Sequence, residues 1–126
     1  MEFTIQTYNA HRDQQAIMAL IESEGDEWRD YLNPGYQEAL KTSVTYVAYA
    51  NDTLCGYSRS ITDHGLYIWV IDLLVHRSFR GHAMGKALLT CLLDNYPGQR
   101  VFVLSDVDAY YEKIGYKKEG SIFEVT

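Results

Sequence analysis

The sequence predicts an α+β domain: a mixed β-sheet flanked by helices. Three observations carry that expectation. Three strand-like stretches follow one another between Val44 and Val75, separated only by short turns. The apolar period then lengthens, with Met84, Ala87, Leu88, Cys91 and Leu92 spaced along one helical stripe. A β-branched and aromatic run, Val101 to Leu104, comes next. A meander followed by a crossover helix needs antiparallel and parallel pairs in one sheet.

In chain order, residues 3–8 alternate Phe3, Ile5 and Thr7 against Thr4 and Gln6, the period of a first strand. Asn9 can cap a helix over residues 11–23, in which Ile17, Leu20 and Ile21 share a face, and Gly25 ends it. Residues 26–41 have the weakest signal; Asn33-Pro34 breaks them, and Pro34 suits the first turn of a short helix through Leu40. Residues 44–50 are a strand ending at the turn Asn51-Asp52, and residues 53–63 are a second, closed by His64-Gly65. Residues 66–75, apolar at nearly every position, are the third, a central strand covered on both faces. The amphipathic helix begins near Ala83, and a strand over residues 100–105 follows the turn at 95–98. A helix over residues 106–114 has Ser105 or Asp106 as cap and Gly115 as stop, and residues 116–125 return as a strand.

A chain of 126 residues is expected to form one domain, residues 1–126. Its 47% hydrophobic and 22% charged content argues against disorder. No apolar run approaches the roughly 18 residues of a membrane span, and residues 1–10 lack the pattern of a signal peptide. The expectation is a cytoplasmic protein, monomer or homodimer. With 11 Lys and Arg against 17 Asp and Glu, the net charge of -6 disfavours nucleic acid and anionic membranes as partners. Cys55 and Cys91 stand alone, and His11, His64, His76 and His82 have no metal-ligand spacing, so no metal is expected. The 11 Tyr against 2 Trp and 4 Phe suit half-buried strands and the walls of sites alike.

The charge is uneven. No acid lies between Asp72 and Asp94, whereas His76, Arg77, Arg80, His82 and Lys86 all do. A strand ending at Val75, a basic loop and a helix start make an anion site, because first-turn N–H groups are unpaired and sit at the positive end of the helix dipole. Gly81, Gly85 and the small Ala83 let a ligand approach the backbone, and Arg80 and Lys86 add charge. A Walker loop is excluded because Ala87, not Ser or Thr, follows Lys86. A dinucleotide fingerprint is excluded because the loop follows the third strand of a meander.

The run Arg80-Gly81-His82-Ala83-Met84-Gly85 resembles the acyl-CoA loop of the GNAT superfamily of N-acetyltransferases, Gln/Arg-x-x-Gly-x-Gly/Ala, with Ala83 at the usual Gly. Asp72-Leu73-Leu74-Val75-His76 is similar to that family's entry into the loop. Ala109-Tyr110-Tyr111-Glu112-Lys113-Ile114-Gly115-Tyr116 resembles its late signature, aromatic-Tyr-x-Lys-aliphatic-Gly-aromatic. The resemblance implies a sheet whose third meander strand splays from the strand at 100–105, with the pantetheine arm of acetyl-CoA in the gap. The pyrophosphate would rest on Arg80, Gly81, His82, Ala83, Met84, Gly85 and Lys86. It further implies an oxyanion donor among the backbone N–H groups of Leu73, Leu74 and Val75.

Under this resemblance the activity is acetyl transfer from acetyl-CoA to a primary amine, expected to be that of a small molecule, within a ternary complex. A non-catalytic acyl-CoA-binding or sensing domain and a protein or peptide N-acetyltransferase are the alternatives. Tyr111 falls at the family's tyrosine near the coenzyme sulfur; at an ordinary pKa of about 10 it stays protonated and can donate to a thiolate of about 8.5. Asp72 interrupts an apolar strand, so it either takes the amine's proton or pairs with Arg59 on the neighbouring strand. The acidic run Glu22, Glu24, Asp26, Glu27 and Asp30 can attract a cationic amine or form a solvated face. Trp28, Tyr31 and Tyr36 can wall the acceptor side or cover the core.

Overall fold

A computed structural model describes residues 1–126. The chain runs β1 (Thr4–Thr7), α1 (Ala10–Glu24), a 3-10 helix at Asp26–Tyr31, α2 (Pro34–Thr42), β2 (Val44–Ala50), β3 (Thr53–Thr62) and β4 (Tyr67–Val75). A short 3-10 turn at Arg77–Phe79 leads to α3 (Met84–Asn95), β5 (Arg100–Val103) and α4 (Asp108–Lys113). The strands form one 5-stranded sheet in sequence order. All neighbours are antiparallel except β4 and β5, which are parallel through the α3 crossover. The sheet is mixed, as the periodicity indicated.

The helices begin where local chemistry satisfies their first N–H groups. Asn9 Oδ1 accepts from Arg12 N at 3.1 Å, and Asn33 Oδ1 accepts from Tyr36 N at 2.9 Å with Pro34 in the first turn. Asp13, wholly buried, ties α1 to the sheet: its carboxylate accepts from Asn9 N, from Arg12 Nε and Nη2, and from the Tyr49 hydroxyl of β2.

Two apolar cores lie on opposite sheet faces. Ile17, Leu20 and Ile21 of α1 join Tyr36 and Leu40 of α2 over Val47, Tyr57 and Leu74. Met84, Leu88, Leu89 and Leu92 of α3 cover Tyr46, Ala48, Ile68 and Val70 on the other face. Each such side chain, moved wholly from water, contributes about 1.5–3 kcal/mol.

One irregularity in β4 decides where the polar residues point. Arg59 of β3 faces Asp72, but the next residue, Ser60, faces Val70, so Ile71 is an extra residue that forms a β-bulge. Before it, Ile68 and Val70 point toward α3; after it, Leu74 points toward α1 and α2, and Asp72 points that way too. An unbroken period of two would have put all four on one face.

Two expectations need correction. Residues 116–125 form no strand and are largely exposed, with Phe123 at 85% and Val125 at 98%. Strand pairing needs a partner, and the tail's apolar residues, Ile122 and Phe123 side by side, do not keep a period of two. α4 also starts later than expected: Val107 is its cap, with no side-chain cap bond, while Ser105 Oγ accepts from Val107 N at 3.0 Å just ahead of it.

Candidate active site

β5 accompanies β4 only part of the way. The register runs from Tyr67 opposite Arg100 to Val70 opposite Val103, and the last bond is Leu104 N to Val70 O at 2.9 Å. Beyond the bulge, residues 72–75 pair with β3 alone, so Leu73, Leu74 and Val75 lie on an edge that β5 leaves unpaired. The bulge and the end of the parallel ladder coincide, so β4 and β5 are not paired beyond that point.

The loop from β4 to α3 follows this unpaired edge. Gly81 has φ +85°, and Ala83, the N-cap of α3, sits in the left-handed region at φ 61°, ψ 21° without a side-chain cap. From Gly81 to Lys86, no backbone N–H finds an acceptor in the protein; the first bond of α3 is Ala87 N to Ala83 O at 3.0 Å. Met84 and Gly85 are buried, so their uncapped N–H groups meet little bulk water. This succession of donors at the positive end of a helix dipole suits an anion. His82 and Lys86 are exposed beside it, and neither makes an ion pair. Arg80 is turned elsewhere, with its side chain on Glu24 and on Val75 O.

α4 leans on the start of α3. A Cβ added to Gly85 would lie 2.8 Å from the Tyr110 hydroxyl oxygen, so glycine there makes room for Tyr110. Tyr111, half-buried against the α3-side core, has Tyr110 edge-on at 5.0 Å and Tyr116 stacked at 6.4 Å. No protein group hydrogen-bonds its hydroxyl. Burial, with smaller pushes from Tyr110, Asp106 and Tyr116, moves its pKa up to about 12. Full proton transfer from this hydroxyl to a thiolate of about 8.5 would be uphill by roughly 5 kcal/mol. What Tyr111 can do is donate a hydrogen bond.

Asp72 sits at the centre of a buried polar network. Arg59 Nε donates to Asp72 Oδ2 at 2.6 Å, the Tyr36 hydroxyl donates to the same oxygen at 2.7 Å, and Tyr57 Oη lies 2.7 Å from Tyr36 Oη. Arg59 also donates to Ser43 Oγ at 3.2 Å and lies over the Tyr36 ring at 5.4 Å. Burial, then the Asp72 charge, pushes the Tyr36 pKa far above its ordinary value, so Tyr36 is a donor throughout. Burial alone would weaken the Arg59 charge, yet its bond to Asp72 raises its pKa overall. Both bonds to Asp72 fall on Oδ2, leaving Oδ1 with no protein partner.

An aromatic wall stands next to it. Trp28 and Tyr31 are 5.2 Å apart, and Tyr31 and Tyr36 4.7 Å. The Tyr31 pKa is raised by burial first, then by Asp72, with Asp106 adding less. Two members of the acidic run are accounted for: Asp26 pairs with Arg29 at the surface, and Glu24 with Arg80. Sequence reasoning overlooked Tyr57 and the partner of Glu24. A single Tyr in a strand carries no sign of a hydroxyl chain, and an acid within an acidic run looks solvated.

A family model described as an acetyltransferase (GNAT) domain matches residues 41–118, the part of the chain holding the bulge, the uncapped loop and the two tyrosines. The chain belongs to the GNAT acetyltransferase family. An uncharacterized N-acetyltransferase, ycf52, of Pyropia yezoensis is 28% identical over 91 residues, covering 64% of this chain and 52% of that protein. The chain thus spans about half the length of the curated relatives it matches. Glucosamine-6-phosphate N-acetyltransferase of Arabidopsis thaliana shares the fold at TM-score 0.71 and 16% identity, with 100% of this chain and 99% of that one covered. Ribosomal-protein-alanine N-acetyltransferase of Brucella melitensis does so at TM-score 0.73 and 18% identity, covering 99% of each. These two GNAT-like structures are named for an amino sugar and a protein acceptor, so the shared fold does not select the acceptor. No helix is long and apolar enough to cross a membrane.

Proposed function

We propose that this GNAT-family chain transfers an acetyl group from acetyl-CoA to a primary amine of a small molecule, by direct attack with both substrates bound. The observation that carries the reading is the run of N–H groups from Gly81 to Lys86 that have no acceptor, following the edge of β4 that β5 leaves unpaired. Those donors, with Lys86 and His82 beside them, would hold the coenzyme's pyrophosphate, and the pantetheine arm would lie along that unpaired edge. Acetyl-CoA supplies the activated thioester.

The chain's residues then divide the work. A backbone N–H on the unpaired edge, among Leu73, Leu74 and Val75, donates to the developing oxyanion. Asp72 Oδ1 takes the proton that the amine loses as its nitrogen bonds to the acetyl carbon, while Arg59 and Tyr36 hold the carboxylate through Oδ2. The carbon–sulfur bond breaks and the sulfur leaves as a thiolate, toward which Tyr111 donates a hydrogen bond. Trp28, Tyr31 and Tyr36 offer an aromatic approach for a compact cationic amine, which gives one proton to solvent before the neutral amine attacks; this supports a small acceptor.

A panel of amines and peptides assayed with acetyl-CoA and thiol detection tests this. Release of CoA thiol with small amines is the expected result. Turnover with peptide N-termini alone would overturn the small-acceptor reading. CoA binding without turnover for any amine would mark a sensing domain instead.

A further inference from the structure

The loop that leads into α3 is braced from a distant part of the chain. Arg80 Nη2 donates to both carboxylate oxygens of Glu24, at 2.7 and 2.8 Å, and Arg80 Nε donates to Val75 O at 2.9 Å. Arg77 Nη2 donates to Ser23 O, one residue before Glu24. α1 has no basic residue in its last turn, so the cations that its carbonyl end attracts come from this loop. The Glu24 side chain is only 19% exposed, against 50% for Arg80. Of the Arg80 donors only Nη1 has no protein partner.

We propose that Glu24 and Arg80 are a positioning pair for the coenzyme loop. Glu24 holds the Arg80 guanidinium, Arg80 holds the last carbonyl of β4, and together they set residues 81–86 in the shape that receives a diphosphate. The proposal rests on the acetyl-CoA reading and deepens it. Pyrophosphate recognition goes to the loop's N–H groups and Lys86, while the Arg80 charge is already answered by Glu24. A loop with positive φ at Gly81 and Ala83, and no side-chain cap, has little of its own to hold that shape. Left unbraced, it would lose more freedom on binding, and affinity would fall.

The test is a double-mutant cycle on the full chain, read as CoA affinity by calorimetry. Glu24→Gln and Arg80→Gln should each weaken CoA about tenfold, and the double variant should be no weaker than either, because the two residues act as one unit. The KM for acetyl-CoA should rise by the same factor, with kcat and the KM of the amine unchanged. The salt dependence of CoA affinity should stay as in the wild type for the double variant, since the two charges cancel within the protein. Melting curves check that the variants are folded; Glu24→Asp, which keeps the charge but shortens the arm, provides a second variant and should also weaken CoA. Unchanged or tighter CoA binding in Glu24→Gln, alongside weakening in Arg80→Gln, would overturn the pairing and make Arg80 a direct phosphate ligand. A wild type that does not bind CoA would instead overturn the coenzyme reading, and the pairing with it.

Discussion

Arg59 Nε donates to Asp72 Oδ2 at 2.6 Å, from the register position immediately beside the bulge at Ile71. The sequence posed two roles for Asp72, base or partner of Arg59. The pair is present, and it occupies one carboxylate oxygen while the other stays unpaired. A carboxylate held through Oδ2 has a defined direction for Oδ1, which is what an acceptor of the amine's proton needs.

Asp72→Asn should therefore lower kcat by about 10²–10⁴-fold, with CoA affinity unchanged. The measurement is steady-state kinetics beside calorimetry with CoA. Equal loss of CoA affinity would reduce Asp72 to a structural role.

Tyr111→Phe should cost kcat about a hundredfold, the scale of one donor to a developing anion, again without change in CoA affinity. Because burial pushes the Tyr111 pKa up to about 12, the wild-type rate should show no downturn from its ionisation below about pH 11. A rate that falls with an apparent pKa near 9 in the wild type but not in Tyr111→Phe would contradict this.

Ala83 holds a left-handed backbone, φ 61°, at the N-cap of α3. Glycine adopts that conformation without a Cβ penalty, so Ala83→Gly should stabilise the fold by about 0.5–1 kcal/mol. Urea unfolding reads the difference; a destabilised variant would show that the methyl group contributes more by packing than it costs in strain.

Asp13 governs acid stability. Burial alone would raise its pKa, but bonds from Arg12, Tyr49 and Asn9 N outweigh it and lower the folded value below the ordinary one. A lowered folded pKa means that the unfolded chain takes up the proton first. The stabilisation is thus complete above the unfolded value of about 4 and is lost as pH falls through the folded value. Asp13→Asn should cost about 3 kcal/mol at pH 7, and its stability should fall less steeply than the wild type's below pH 4. Parallel acid limbs for the two proteins would remove Asp13 from this role.

Much of the molecule was legible from local pattern. Asn9, Pro34 and the stripe Ile17, Leu20 and Ile21 act over one helical turn, and the alternation in β2 and β3 needs only nearest neighbours. The basic window from His76 to Lys86 marked a candidate anion site because a strand, small residues and a helix start are adjacent in sequence. Residues 116–125 misled because strand propensity is satisfied only by a partner, and none pairs with them here.

The sequence by itself determined the element order, the mixed sheet and the loop where a phosphate would rest, because propensity, turn chemistry and charge spacing are short-range properties. Tertiary structure alone decided three things. It placed the bulge at Ile71, which turns Asp72 away from α3 and toward Arg59, Tyr36 and Tyr57. It joined Glu24 to Arg80 across a sequence separation of 56. It buried Tyr111, which tightens the hydroxyl's hold on its proton. Each depends on which distant residues share a small volume, and burial there sets both the direction of a carboxylate and the strength of a hydroxyl's hold on its proton.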